Sequence, residues 1–258
     1  MIRPMMSALL CLAAALPAAA WANAEIQSLS GDVRVGTSKQ VLIASRQGQR
    51  LASGTTIVTG ANSQAVLKFD DGGQMVLGQN TEFRIVDSAY SRDNPGADRG
   101  IFDLVRGALR VVSGAIGSRN RQAWALRAPQ VTIGLRGTDF MVVAAEQAYF
   151  NVTQGAIAVS NGYGTSVLGA GTIASVPSSA SAVAMIPSSS LPPAASSAFT
   201  SMASAPGVVG GGMAVGAGPA GGVAAGGIGA GTMAIGIGAA AAALAAGGKS
   251  GSSSATHH

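Results

Sequence analysis

The sequence predicts an all-β fold of short antiparallel strands, stacked as a solenoid or sandwich and followed by a low-complexity Gly/Ala tail. Three observations predict it. Between residues 25 and 176 apolar residues recur at every second position, the period of a half-buried strand. Turn-forming Gly, Asn and Asp residues separate these runs at short intervals. No convincing amphipathic helix precedes residue 177.

The alternation is clear in Val33 and Val35, Ala65-Leu67-Phe69, Met75 and Leu77, Phe83 and Ile85, Phe140 and Val142, Phe150 and Val152, and Ile157 and Val159. Turns are expected at Gly31-Asp32, Thr59-Gly60-Ala61-Asn62, Asp70-Asp71-Gly72-Gly73, Gly107, Gly114, Gln154-Gly155 and Asn161-Gly162. The clearest hairpin runs from Gln64–Phe69 through Asp71-Gly72 into Gln74–Leu77, because glycine supplies the positive φ such a turn requires. A second hairpin is expected at Arg106-Gly107, joining Phe102–Val105 to Leu109–Val112. Asp87 to Arg99 is polar and reads as a surface loop.

The ends differ from this body. Arg3, the apolar stretch Ser7–Leu16, Pro17 and the small residues Ala22 and Ala24 have the order and proportions of a secretory signal peptide. The mature start is placed at Glu25, with Ala20-Trp21-Ala22 offering a second frame. The apolar run is about half the ~20 residues of a bilayer crossing, which argues against an uncleaved anchor. Residues 1–24 are therefore read as the signal, 25–176 as one domain, 177–205 as a Ser/Pro/Ala linker and 206–258 as an apolar Gly/Ala-rich tail. The reading implies an exported protein, periplasmic, outer-envelope associated or extracellular.

Chemistry is narrowed by what is missing. The only cysteine, Cys11, lies in the removable segment, and both histidines, His257 and His258, are the last two residues. A mature body without Cys or His has no thiol nucleophile, no Cys-ligated metal and no histidine base. No cofactor is expected. All eleven acidic residues and fourteen of the sixteen basic ones fall between Glu25 and Glu146, so the formal +5 reduces to +3 in the domain. The basic residues alternate with acidic ones, without the basic stripe and stacking aromatics of a nucleic-acid surface.

The residues resemble the FecR-type periplasmic domain family. The likeness begins at Gly31-Asp32-Val33-Arg34-Val35 and continues through Leu51-Ala52-Ser53-Gly54, Val58-Thr59-Gly60, Ser63, Ala65, Leu67, Phe69, Asp71-Gly72 and Leu77. It resumes at Leu104, Gly107, Leu109, Arg110 and Ala128-Pro129, is sharpest at Gly134–Phe140, and ends near Val152, Gly155 and Val159. The resemblance implies an all-β domain of stacked strands without catalytic activity. The family's best-known members are anti-sigma regulators with a cytoplasmic helical segment and a membrane helix before the periplasmic domain. Here 24 residues precede it and resemble a signal, so the regulatory role is not expected to carry over.

Within the sharpest stretch, Arg136, Gly137, Thr138, Asp139 and Phe140 form the candidate fold or contact motif. A buried Asp139 beside Arg136 would form a charge-assisted pair fixing a strand entry, with Gly134 and Gly137 allowing close backbone approach. The alternative is contact with a partner. Asp87, Asp93, Asn94 and Asp98 share one loop but lack the alternate-residue spacing of a calcium loop. Asp70, Asp71, Asp87, Asp103 and Asp139 could in principle supply a glycosidase pair, although only their presence suggests it. Gly216–Gly221 has the letters of a dinucleotide loop without its strand, helix or acidic residue.

Val223–Ala246 is uncharged and long enough as a helix to cross a bilayer, but its glycines cost about 1 kcal/mol each relative to alanine in a helix. A membrane-associated helix, a self-associating segment and a flexible tail remain open, with membrane contact or self-association expected through 206–248. The functional expectation is an exported non-enzymatic module binding an envelope protein or polysaccharide. The alternative is a structural or adhesive surface protein assembled through its tail.

Overall fold

The computed structural model describes residues 22–38 and 41–208; the expectations for the signal segment up to residue 21 and for the tail from 209 fall outside them. The strands are β1 (Ala22–Ser30), β2 (Val33–Ser38), β3 (Val41–Ala44), β4 (Arg50–Ala52), β5 (Thr56–Thr59), β6 (Gln64–Phe69), β7 (Gln74–Leu77), β8 (Glu82–Ala89) and β9 (Arg99–Val112). After a short helix, α1 (Ala115–Arg119), come β10 (Trp124–Arg127), β11 (Thr132–Leu135), β12 (Asp139–Ala144), β13 (Ala148–Gln154), β14 (Ala156–Ser160), β15 (Thr165–Gly169), β16 (Ile173–Val176) and β17 (Ala184–Met185). Helix α2 (Pro193–Ala203) follows.

The all-β expectation holds, in the form of one mixed sheet that is not closed into a barrel and is folded into two layers. One layer runs β4-β1-β6-β7-β9-β12-β13-β16-β17. The other runs β3-β2-β5-β8-β9-β10-β11-β14-β15. Among these pairings only β9 with β10 is parallel.

Strand β9 belongs to both layers, and this corrects the hairpin expected at Arg106-Gly107. Its first part pairs with β8 and β10, and the part from Gly107 onward pairs with β7 and β12. The chain bends at Gly107 (φ +97°) instead of reversing. A side chain there would lie 2.4 Å from Thr81 Oγ1 and 2.5 Å from Thr81 Cα, so both the backbone angle and the contact require glycine. The Asp71-Gly72 hairpin forms as expected, with Gly72 at φ +84°.

The core between the layers is built from the alternating residues, including Leu67, Leu77, Phe83, Leu104, Leu109, Phe140, Val142 and Phe150. Phe102 links the layers, its ring 5.3 Å from Phe69, 5.8 Å from Phe83 and 5.7 Å from Trp124. A second cluster lies on the other face of the β6-β7-β9-β12-β13 layer. There Val66, Val76, Ala108, Met141 and Tyr149 meet Ala195, Phe199 and Met202 of α2.

The segment expected as a Ser/Pro/Ala linker over 177–205 thus contains a strand and a helix that form part of the packed body. Pro193 occupies the first turn of α2, where its missing N–H costs nothing. The buried residues Ala195, Phe199 and Met202 then recur at helical spacing. With only two bulky residues, this stripe is too thin to stand out from the Ala/Ser background.

Candidate functional site

The stretch Gly134–Phe140 ends β11, turns, and starts β12. Inside it the side chains divide between interior and surface. Leu135, Thr138, Asp139 and Phe140 are buried, whereas Arg136 and Gly137 are exposed. The turn is held by its backbone: Arg136 N–H donates to the Ala156 carbonyl at 3.0 Å. Thr138 N–H donates to Ser113 Oγ at 2.9 Å, and Ser113 N–H donates back to the Thr138 carbonyl at 2.9 Å.

The expected Arg136–Asp139 pair does not form. Asp139 is bound by Arg110, whose Nε and Nη2 donate to the two carboxylate oxygens at 3.0 and 2.7 Å. The reason lies in register. Asp139 sits opposite Val112 and Met141 opposite Arg110, so Arg110 is the diagonal cross-strand neighbour of Asp139 on the face that α2 covers. The pair is buried, its side chains 10% and 3% exposed. Hydrogen bonding to Asp139 drives the Arg110 pKa above its ordinary value, against the opposing effect of burial. Arg110 Nη1 also donates to the carbonyls of Met202 and Ala203 at 3.3 and 3.4 Å, satisfying acceptors at the C-terminal end of α2.

The glycines also act differently from expectation. A side chain at Gly134 or Gly137 would meet nothing within 4 Å, and Gly137 is required for its φ of +67°. The close approach is at Gly155, where a Cβ would lie 1.9 Å from the Gly137 carbonyl oxygen.

The other candidate carboxylates are likewise engaged. Asp87 is in β8 and pairs with Arg99 at 3.3 Å, so the loop of this region is shorter than expected. Asp98, whose side chain is fully buried, receives Arg119 Nε and Nη2 at 2.8 Å each, and the guanidinium stands 4.6 Å from the centre of the Tyr90 ring. The Arg119 hydrogen bonds hold the Asp98 carboxyl below its ordinary value. Arg119 also donates to the Ser91 and Arg92 carbonyls, which fastens this loop to α1.

Asp71 does more than shape its turn. Its carboxylate accepts N–H groups from Gly73 at 2.9 Å and Ile116 at 3.2 Å, and burial nevertheless pushes its pKa up. It borders a cavity of about 20 Å³ beside Tyr90 and Trp124, about the space one water needs. Asp70 faces Arg50 at 3.1 Å, and Asp103 lies 3.9 Å from Arg127. Apart from Asp103, whose buried Oδ1 has no hydrogen-bond partner among the described residues, each of these carboxylates answers to its own arginine or to backbone amides. Among the described residues, no cluster of His, Cys, Asp and Glu has the makeup of a metal site.

Residues 55–158 match the FecR protein family. The matched FecR stretch runs from β5 to β14 and contains the whole Arg136–Phe140 motif, while the likeness noted at Gly31–Gly54 lies outside it.

No curated protein matches. Two crystal structures of a proposed anti-sigma factor from Parabacteroides distasonis, at 2.50 and 1.65 Å resolution, are similar at 15% identity and a TM-score of 0.41. The aligned part is 51% of this chain and 58% of that protein, so the chain spans little more than half its length. No helix of the described residues is long and apolar enough to cross a membrane.

Proposed function

We propose that this protein is an exported, non-enzymatic FecR-like module that binds a protein at the cell envelope, with the Arg136-Gly137 turn in the contact surface. One observation carries the reading. In a motif whose other polar side chains are turned inward, Arg136 is exposed, and its guanidinium has no partner among the described residues. The fold consumes Asp139 and leaves Arg136 available. An exposed arginine on a rigid turn suits contact with a protein, since it offers five donors and a planar face.

The engaged carboxylates support a role without catalysis, because a glycosidase needs two facing one another across a substrate. The residues before β1 support export.

Placing a photo-crosslinking amino acid at position 136 in cells tests the contact. It should give a discrete adduct with an envelope protein, and the same probe at exposed Thr132 on β11 should give none. No adduct at 136, or equal adducts at both positions, would remove Arg136 from the proposal. Fractionation and protease shaving of the same cells test export.

A further inference from the structure

A concave site lies where the first layer meets α2. It has a volume of about 400 Å³ and is lined by Ser30, Asn62, Gln64, Gln79, Ser197 and Ser201, together with Ser63 and Gly78. Ser30 ends β1, Asn62 is in the turn before β6, Gln64 opens β6, and Gln79 follows β7. Ser197 and Ser201 stand one helical turn apart on α2, so the site exists only because the helix docks there.

Its chemistry is uniform: three carboxamides and four hydroxyls, without an acid, a base or a large apolar side chain among them. Several of these groups have unused capacity. The Asn62 carboxamide and the Ser30 hydroxyl have no partner among the described residues. Gln79 accepts the Asn62 N–H through Oε1 at 3.2 Å and keeps its NH₂ free. Gln64 donates to the Ser201 carbonyl at 3.4 Å and keeps its Oε1 free. Asn62 is held at φ +53°, one of only two non-glycine residues with positive φ among those described.

We propose that this site binds an uncharged saccharide. An anion would need cationic side chains, a cation would need carboxylates, and an apolar ligand would leave the amides without partners. Vicinal hydroxyls both donate and accept, which is what a set of carboxamides and hydroxyls can reciprocate. The volume lies in the range of small-ligand sites and holds about one or two sugar rings, so the ligand is a segment of a neutral glycan. The site is separate from the Arg136 turn, and crosslinking at position 136 does not report on it, so the two readings stand or fall apart.

The test uses the full chain and three neutral hexasaccharides, maltohexaose, chitohexaose and xylohexaose, with an oligogalacturonate as the anionic comparison. Titrations are followed by the side-chain amide resonances of Asn62, Gln64 and Gln79. At least one neutral probe should shift all three with a Kd of about 1 mM, the oligogalacturonate none. The double variant N62G/Q79A removes two amides while glycine preserves the backbone angle at 62. It should bind about tenfold more weakly with an unchanged melting temperature.

Silence of the amides toward all three neutral probes at about 10 mM overturns the proposal, as does wild-type affinity in the double variant or tighter binding of the anionic probe. Should N62G/Q79A melt early, the S197A/S201A variant gives the same readout from the exposed face of the helix.

Discussion

Replacing Arg110 by methionine removes the guanidinium that joins β9, β12 and α2 while preserving most of its volume. The change abolishes two charge-assisted hydrogen bonds to Asp139 and the two contacts with the Met202 and Ala203 carbonyls. It leaves the Asp139 carboxylate, 3% exposed, without its counter-ion. Removing one partner of a buried pair typically costs about 3–5 kcal/mol, mostly through the stranded charge. Because Arg110 keeps a solvent-facing rim, we expect about 3 kcal/mol for R110M.

The double variant R110M/D139L strands no charge and should recover about half of that loss, giving a coupling energy of at least about 1 kcal/mol. Urea denaturation of the wild type, both single variants and the double variant closes the cycle. Limited proteolysis should cut within Pro193–Ala203 earlier in R110M than in the wild type, since α2 loses its C-terminal anchor. A loss below about 1 kcal/mol in R110M, or strict additivity in the double variant, would refute the ion pair as the lock of this face.

Other outcomes follow from the same geometry. G155A should be destabilised by more than about 2 kcal/mol in thermal melts, since its Cβ would lie 1.9 Å from the Gly137 oxygen, whereas G134A, with nothing within 4 Å, should melt close to the wild type. F199A should cost about 3 kcal/mol and raise binding of a hydrophobic dye, because Phe199, 5% exposed, covers Val66, Val76 and Met141.

Asp98 has a folded pKa below its ordinary 3.8, so the stability it supplies is present above that value and lost as the pH falls through the lower folded one. The stability gap between the wild type and D98N should therefore be constant near neutrality and begin to narrow as the pH falls below about 4, which denaturation from pH 7 to about pH 2 will show. Asn23 and Ala24 belong to β1, Ala24 fully buried and the Asn23 carbonyl accepting Asp70 N–H at 3.1 Å. Signal cleavage is accordingly expected after Ala22, and an intact mass beginning at Asn23 instead of Glu25 checks it.

Much of the fold was legible before any coordinates, because period-two burial is a local property written into consecutive residues. Ala65-Leu67-Phe69 and Phe140-Val142 face the core as their spacing requires, and the turn at Asp71-Gly72 needs the positive φ that glycine permits. The stretch Gly134–Phe140 could be singled out by its residues alone.

What its members do could not be read, since that depends on partners distant in sequence. Asp139 is 29 residues from Arg110, and only strand register makes them diagonal neighbours. Arg110 alternates with Leu109 and Val111, so local pattern assigns it to a solvent face; α2, about 90 residues further on, turns that face into an interior. Gly107 signals a turn in either case, but whether the strand reverses or bends there depends on Thr81 packed against it.

The sequence by itself determined the period-two segments, their inward faces and the absence of thiol and imidazole chemistry in the body. Only the tertiary structure decided which charges are consumed and which remain available, because burial and pairing are set by chain segments that meet only once the layers and the helix have closed.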